Sequence, residues 1–174
     1  PAKALVLTGE GRNGKSTFQE LISAPFPESA RGSVPPHCWE QEYYSKLLRG
    51  KLLNLVPELP KADIMRSEAF KAITAGDIIV GRAIRQAPVR FRPVAGHLFA
   101  ANSLPAVDDA SRAFWARVVV IPFNNEFSVD KGNADTDLAA TIIANELPGI
   151  ILWALEGAAR LLARGPRAGY TIPS

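Results

Sequence analysis

Residues 4–16, ALVLTGEGRNGKS, decide the fold. The first five are an apolar, β-rich run, and a glycine-rich stretch follows at once. Residues 9–16, GEGRNGKS, match the motif G-x-x-x-x-G-K-[ST] between this strand and a predicted helix. The backbone of such a loop curls, so that successive N–H groups point toward one phosphate. We therefore expect a P-loop in which Lys15 contacts the β- and γ-phosphates and Ser16 is a ligand of Mg²⁺.

The expected cofactors of this loop are ATP and Mg²⁺. A glycine-rich turn that matches the pattern by accident is the alternative, but the strand before the loop and the helix after it favour nucleotide binding. The residues expected to contact the nucleotide are Gly9, Glu10, Gly11, Arg12, Asn13, Gly14, Lys15, Ser16 and Thr17.

Apolar runs that alternate with helical patterns predict an α/β fold with a mainly parallel central sheet flanked by helices. Proline and glycine punctuation further predicts a β-hairpin from residues 78–84 and 89–94. Besides residues 4–8, the predicted core strands are residues 51–56, 97–101 and 118–122. The predicted helices are residues 15–23, 39–49, a segment capped by Asp63, residues 135–145 and residues 149–162.

Composition places the chain among ordinary globular proteins. With 174 residues, 47% hydrophobic and 21% charged, it suits one domain, which we expect to be part of a longer protein because the chain starts without methionine. A single cysteine, Cys38, excludes an internal disulfide framework and favours a cytoplasmic protein. Uncharged runs such as residues 147–155 are shorter than a membrane span, so no membrane partner is expected.

The second expected element of the site is an acid at the end of a neighbouring strand. The run LLNLV at residues 52–56 is followed by Pro57 and Glu58. Glu58 is therefore the candidate catalytic base and a second candidate ligand of Mg²⁺. A solvated glutamate in a turn is the alternative interpretation.

Several motifs together carry a family resemblance. The chain resembles the superfamily 3 helicase domain of phage and plasmid primase–helicases, a group of AAA+ ring ATPases. The resemblance covers nearly all of residues 4–173. The motifs that carry it are residues 9–17, LNLVPEL (53–59), FKAITAGD (70–77), FAANSLP (99–105), FWAR (114–117), IPF (121–123) and ELPGI (146–150).

This resemblance implies roles for further residues. Asn102 resembles the sensor that orients the attacking water, and Arg117 resembles the arginine finger that reaches the nucleotide of the adjacent subunit, with Arg112 as its rival. The alternatives are a loop asparagine and a surface salt bridge. One departure is Pro57, because many superfamily members carry two adjacent acids there. Glu58 then serves both purposes or shares them with an acid such as Asp63 or Asp77.

The predicted hairpin holds a cluster of arginines. Within residues 82–92 there are four arginines and no acid. The resemblance implies that this hairpin, residues 78–94, binds single-stranded DNA in the channel of a ring. Arginine side chains pair well with DNA phosphates, and such contacts do not depend on the base sequence. A charged, solvated hairpin edge is the alternative. The expected DNA-binding residues are Arg82, Arg85, Arg90 and Arg92, with Arg85 as the leading contact.

These observations predict an ATP-dependent DNA helicase motor. We expect one P-loop domain over residues 1–174, in which Lys15, Glu58, Asn102 and Arg117 are catalytic. The expected partners are single-stranded and duplex DNA, further copies in a hexameric ring and a primase domain in the parent chain. The resemblance implies 3′→5′ polarity. A P-loop small-molecule kinase and a non-hydrolysing ATP-binding scaffold remain as alternatives.

Overall fold

The computed structural model of the chain describes residues 3–60 and 64–165. Its strands are β1 Ala4–Thr8, β2 Arg31–Gly32, β3 Leu53–Val56, β4 Ile64–Met65, β5 Ile79–Gly81, β6 Val89–Phe91, β7 Gly96–Ala101, β8 Ala106–Val107 and β9 Val118–Pro122. Its α-helices are α1 Lys15–Ser23, α2 Glu42–Lys46, α3 Ser67–Ala75, α4 Arg112–Trp115 and α5 Leu138–Arg164.

Five strands form a central sheet in the order β2-β3-β7-β1-β9, and every neighbouring pair is parallel. Thr8, the last residue of β1, aligns with Ala101 of β7 and Pro122 of β9. The strands therefore end together at one edge of the sheet. The predicted α/β fold with a mainly parallel sheet is confirmed.

Helices cover both faces of this sheet because its central strands are apolar on both sides. Every residue of β7 except Gly96 is buried, as expected for a strand of a covered parallel sheet. On one face, Phe70 of α3 and Phe114 of α4 pack with Phe99 of β7 in one core cluster. On the other face, Phe18 of α1 packs against the cluster that contains Leu98.

Helix α3 is capped at both ends by hydrogen bonds to residues that lie outside the helix. The Ser67 backbone N–H donates to Asp108 Oδ1 at 2.9 Å, and this bond lowers the pKa of the Asp108 carboxyl. Gly76, at φ 72°, and Asp77 close the other end by donating to the Ile73 and Ala72 carbonyls. The predicted cap at Asp63 lies outside the described residues.

The predicted helix at residues 39–49 is much shorter in the structure. Only Glu42–Lys46 is α-helical. Trp39 is buried before this helix and its indole N–H donates to the Val34 carbonyl at 3.0 Å, while Leu48 is buried after it. Burial of both flanking side chains fixes an irregular path, which overrides the local helical preference.

The two helices predicted at residues 135–145 and 149–162 form one helix, α5, which runs through Pro148. Pro148 is exposed, so the carbonyl that loses its helical partner there can accept from water. By length and composition alone, this 27-residue helix could cross a membrane. The expectation that no segment is long enough is therefore wrong on those two criteria. Much of the apolar surface of the helix, including Leu152 and Trp153, is exposed.

The predicted hairpin forms from β5 and β6, which pair antiparallel with Val80 opposite Arg90. It packs against α2 at Gly81. A Cβ atom at Gly81 would lie 2.8 Å from the Lys46 Cβ atom and 2.9 Å from its Cα atom. Only glycine allows the hairpin and α2 to approach this closely.

His97 is an uncharged histidine in the core. It lies beside the Trp39 ring, with centroids 4.7 Å apart, and its Nδ1 atom is 3.4 Å from the Asn54 amide nitrogen. Its Nε2 atom is buried and has no hydrogen-bond partner among residues 3–60 and 64–165. Burial lowers the pKa of His97 to about 4.

We predict that this histidine makes the fold sensitive to mild acid. Its pKa rises from about 4 when folded to about 6.5 when unfolded. The stabilisation is therefore complete above pH 6.5 and is lost as the pH falls toward 4, by on the order of 3 kcal/mol at about 1.4 kcal/mol per pKa unit. In urea titrations from pH 7 to pH 4, His97→Gln should flatten the decline. An equally steep decline in His97→Gln would contradict the assignment.

Candidate phosphate-binding site

The loop between β1 and α1 curls because three of its residues have positive φ values. These are 150° at Gly9, 60° at Arg12 and 84° at Gly14. The Gly9 N–H donates to the Ala101 carbonyl at 3.3 Å and so connects the loop to the end of β7. The loop leads into the amino terminus of α1, where unpaired N–H groups and the helix dipole favour an anion.

Lys15 is folded back onto its own loop. Its Nζ atom donates to the Asn13 side-chain oxygen at 2.9 Å and to the Gly9 carbonyl. The Asn13 amide nitrogen donates in turn to the Phe123 carbonyl at 3.1 Å, just beyond β9. Asn13 is buried, so it connects Lys15 to the neighbouring strand. The sequence pattern marks Asn13 only as one nucleotide contact among several.

Glu58 and Asn102 meet beside this loop. Glu58 lies two residues after β3, and Asn102 directly follows β7. The Asn102 amide nitrogen donates to Glu58 Oε1 at 3.0 Å. Both side chains are exposed. The structure therefore brings the predicted acid and the predicted sensor into direct contact.

Two hydrogen bonds hold the Glu58 segment in this position. The Leu59 N–H donates to the Ala100 carbonyl at 2.7 Å, which ties the segment to β7. The Gln19 side chain of α1 is buried and donates to the Val56 carbonyl at 3.1 Å. Helix α1 and β7 therefore position the acid together.

The loop, the acid and the sensor line one groove of about 420 Å³. Residues 11–17 form one wall, and Pro57, Glu58, Ala101 and Asn102 form the other. Backbone N–H groups, a lysine and a helix amino terminus on one wall suit a phosphate chain. The opposite wall offers a carboxylate and an amide.

The oxygen donors of this groove suit a magnesium ion that arrives with phosphates. Ser16 and Glu58 both line the groove. Within residues 3–60 and 64–165, no group of three or more His, Cys, Asp or Glu could hold a metal. Mg²⁺ needs only one or two protein oxygens when phosphates and water complete its shell. Of the acids proposed to share the task, Asp77 is not among the groove-lining residues and Asp63 lies outside the described residues.

A second cavity borders the other side of the loop, and the sequence patterns did not indicate it. It measures about 990 Å³ and is lined by Arg12, Thr17 and three aromatic residues, Phe18, Phe123 and Phe127. The Phe18 and Phe123 rings meet edge to face with centroids 5.8 Å apart. The Phe127 N–H donates to the Arg12 carbonyl at 2.7 Å, which fastens this cavity to the loop.

Arg117 and Arg112 lie away from this groove. The Arg117 carbonyl accepts from the N–H of Ala4, the first residue of β1, whereas the loop follows the last residue of β1. At about 3.3 Å per residue, the length of β1 separates Arg117 from the loop by roughly 15 Å. The Arg117 guanidinium donates to the Ala113 carbonyl at 2.7 Å. Arg112 begins α4 and is exposed.

The four arginines of the hairpin have different surroundings. Arg82 pairs with Glu42 at 3.6 Å, and Arg92 donates to the Gly76 carbonyl. In the described part of the chain, the side chains of Arg85 and Arg90 make no hydrogen bond or ion pair. Arg85 lies in the turn at the hairpin tip with φ 58°. These two arginines are therefore available to an external anion.

We predict that Gly9→Ala destabilises the fold, whereas Gly11→Ala does not. A Cβ atom at Gly9 would lie 2.4 Å from the Phe123 carbonyl oxygen and 2.2 Å from the Asn13 amide nitrogen, at φ 150°. The backbone must then shift or strain, at a cost of about 1–3 kcal/mol. A Cβ atom at Gly11 would meet nothing within 4 Å. Equal melting temperatures for the two variants would contradict this packing.

Viral proteins are among the curated relatives of this chain. L207/L206 of Acanthamoeba polyphaga mimivirus is 31% identical over 129 residues, which cover 70% of this chain and 13% of that protein. 184R of Invertebrate iridescent virus 6 is 28% identical over 136 residues, 70% of this chain and 14% of that protein. Both are named as proposed helicases. The chain thus spans about one seventh of the length of these relatives.

Solved structures share the fold at low sequence identity. The C-terminal region of NrS-1 in its apo form matches with a TM-score of 0.62 and 17% identity, over 83% of this chain and 34% of that one. The JCV helicase, bound to an acetamide compound, matches with a TM-score of 0.52 and 12% identity, over 90% of this chain and 45% of that one. These likenesses concern the fold alone.

A family model matches residues 7–117, from within β1 to the residue before β9. The matched range contains the curled loop, Glu58, the hairpin and Asn102. The model describes a family of unknown function. This chain belongs to that family, DUF5906.

Proposed function

We propose that this chain is the ATP-hydrolysing motor domain of a helicase that translocates on single-stranded DNA. Relatives named as helicases and a fold shared with the JCV helicase support a helicase-type function. The observation that carries the finer proposal is the 3.0 Å hydrogen bond between Asn102 and Glu58 at the P-loop groove. A carboxylate and an amide that meet beside a phosphate cradle can hold and deprotonate a water molecule.

Each side chain of the groove has a task in this proposal. Lys15 exchanges its bonds to the loop for bonds to phosphate oxygens, and Ser16 supplies one ligand to the metal ion. Glu58 accepts the proton of the attacking water, while Asn102 orients that water and the carboxylate. The bound Mg²⁺–ATP supplies the scissile phosphate bond and the cation that neutralises its charge.

The aromatic cavity beside the loop is the candidate site for the base of the nucleotide. It adjoins the P-loop through Arg12 and Thr17 and is lined largely by apolar atoms. Ligand sites of this kind suit a flat aromatic ring with a few polar groups at its edge. We propose that the base of the nucleotide binds here. The phosphates then cross the loop toward Glu58.

The position of Arg117 supports a site shared between subunits. Its backbone carbonyl accepts from Ala4 at the start of β1, whereas the P-loop follows the end of β1. Within one chain it is too distant to contact a bound phosphate, so a role as arginine finger requires a second copy. We propose that Arg117, or Arg112 beside it, enters the groove of the next subunit. Membership of superfamily 3, the hexameric ring and the primase domain of the parent chain rest on the sequence resemblance.

An ATPase assay with and without single-stranded DNA tests the function. The wild-type chain should hydrolyse ATP faster when poly(dT) is present, because the DNA motor is the one of the three candidate functions that couples the two ligands. Lys15→Ala should reduce turnover at least 100-fold, as expected when a phosphate contact is lost in the transition state. Lys51→Ala is the matched control, since Lys51 donates to the Ser29 carbonyl and does not line the groove. Full turnover in Lys15→Ala would remove the site, and turnover without stimulation by DNA would favour the small-molecule kinase.

We predict that Arg117→Ala retains nucleotide binding but loses turnover that depends on assembly. Loss of an arginine finger lowers hydrolysis by ~10³–10⁵-fold in comparable NTPases. Turnover per wild-type subunit should rise with protein concentration. Arg117→Ala mixed with Lys15→Ala should regain turnover, because the first variant keeps the groove and the second keeps the finger. Arg112→Ala is the parallel test of the rival residue. Turnover per subunit that is independent of concentration would contradict the shared site.

A further inference from the structure

A groove lies between α2 and the tip of the hairpin, outside the P-loop site. It measures about 670 Å³ and is lined by residues 41–43 on one side and residues 82–86 on the other. Its lining includes the aromatic ring of Tyr43 and Arg85, whose guanidinium makes no ion pair in the described part of the chain. The resemblance that predicts a DNA-binding hairpin assigns nothing to α2.

The walls of this groove are held in place by paired groups. Arg82 pairs with Glu42 at 3.6 Å, and Lys46 Nζ donates to the Gln86 side-chain oxygen at 2.7 Å. Gly81 brings the backbone of the hairpin against Lys46. The groove is therefore a formed part of the fold, since both walls belong to one packed unit.

The exposed side chains of the groove are an aromatic ring, which meets the Tyr44 ring edge to face at 5.4 Å, an apolar side chain and a cation. Tyr43 is 46% exposed and Ile84 is 74% exposed. Arg85 holds φ 58° at the tip, a conformation that costs a non-glycine residue energy and that often marks functional positions. The neighbouring Arg90 adds a second unpaired positive charge.

We propose that this groove binds a base of single-stranded nucleic acid by stacking it on Tyr43, while Arg85 pairs with an adjacent phosphate. Charge complementarity selects this occupant, because Arg82 offsets the charge of Glu42, which also lines the groove, while Arg85 and the nearby Arg90 add exposed positive charge. Aromatic stacking next to a basic strand is the usual means of holding single strands without reading their sequence. The inference rests on the proposed function and adds an aromatic contact from α2 to the hairpin.

Fluorescence anisotropy with two labelled probes tests the groove. One is a 20-nucleotide oligo(dT), and the other is a 20-mer of the same backbone in which every site is abasic. Tyr43→Ala should weaken oligo(dT) binding by roughly 10-fold, within the range for loss of one stacked base, and leave the abasic probe unaffected. Tyr43→Phe should bind like the wild type. Arg85→Ala should weaken both probes and reduce the salt slope by about one.

Trp153→Ala is the control, since this exposed tryptophan of α5 does not line the groove. Photocrosslinking with 5-iodo-2′-deoxyuridine in the oligonucleotide gives an independent readout, and the adduct should map to Tyr43. If the wild type binds oligo(dT) and Tyr43→Ala binds it equally well, the stacking site is overturned while the proposed motor stands. If the wild type binds neither probe, both the stacking site and the proposed motor function are overturned.

Discussion

Parallel pairing of β7 with β1 on one side and β3 on the other is the constraint on which the candidate site depends. Thr8 aligns with Ala101, and Val56 aligns with Phe99, so the three strands leave the sheet at one edge. Only at that edge can the curled loop, Glu58 and Asn102 come together. The side chains of β7 alternate between two different core clusters, Phe99 in one and Leu98 in the other. This packing fixes the register, because a slip by one residue would exchange the two sets of side chains.

The sequence predicts those parts of the structure that depend on residues close together in the chain. β1 and β9 have the predicted bounds because each is a short apolar run that ends at glycine or proline. α1 has the predicted bounds because it begins after Gly14 and ends shortly before Pro25. The proximity of Glu58 and Asn102 also follows from local information, since each comes at the end of a buried strand in a parallel sheet. The catalytic, metal-binding and DNA-binding roles given to these residues stay predictions.

Other features depend on contacts between distant residues, which no local pattern carries. The segment around α2 is shaped by burial of Trp39 and Leu48, and α5 continues through Pro148 because that residue faces water. Asn13 acquires its bridging position only when the Phe123 carbonyl, 110 residues away, lies beside it. The aromatic cavity likewise needs Phe18 and Phe127 from separate elements.

The close approach at Gly81 has a mechanical consequence. With the Lys46 Cα atom 2.9 Å from the position of a Cβ atom, the hairpin cannot hinge on its own and must carry α2 with it. The segment that leads into α2 is anchored by Trp39, whose ring lies against His97 of β7. A displacement of the hairpin tip is therefore transmitted through α2 and Trp39 to β7, the strand that ends just before Asn102.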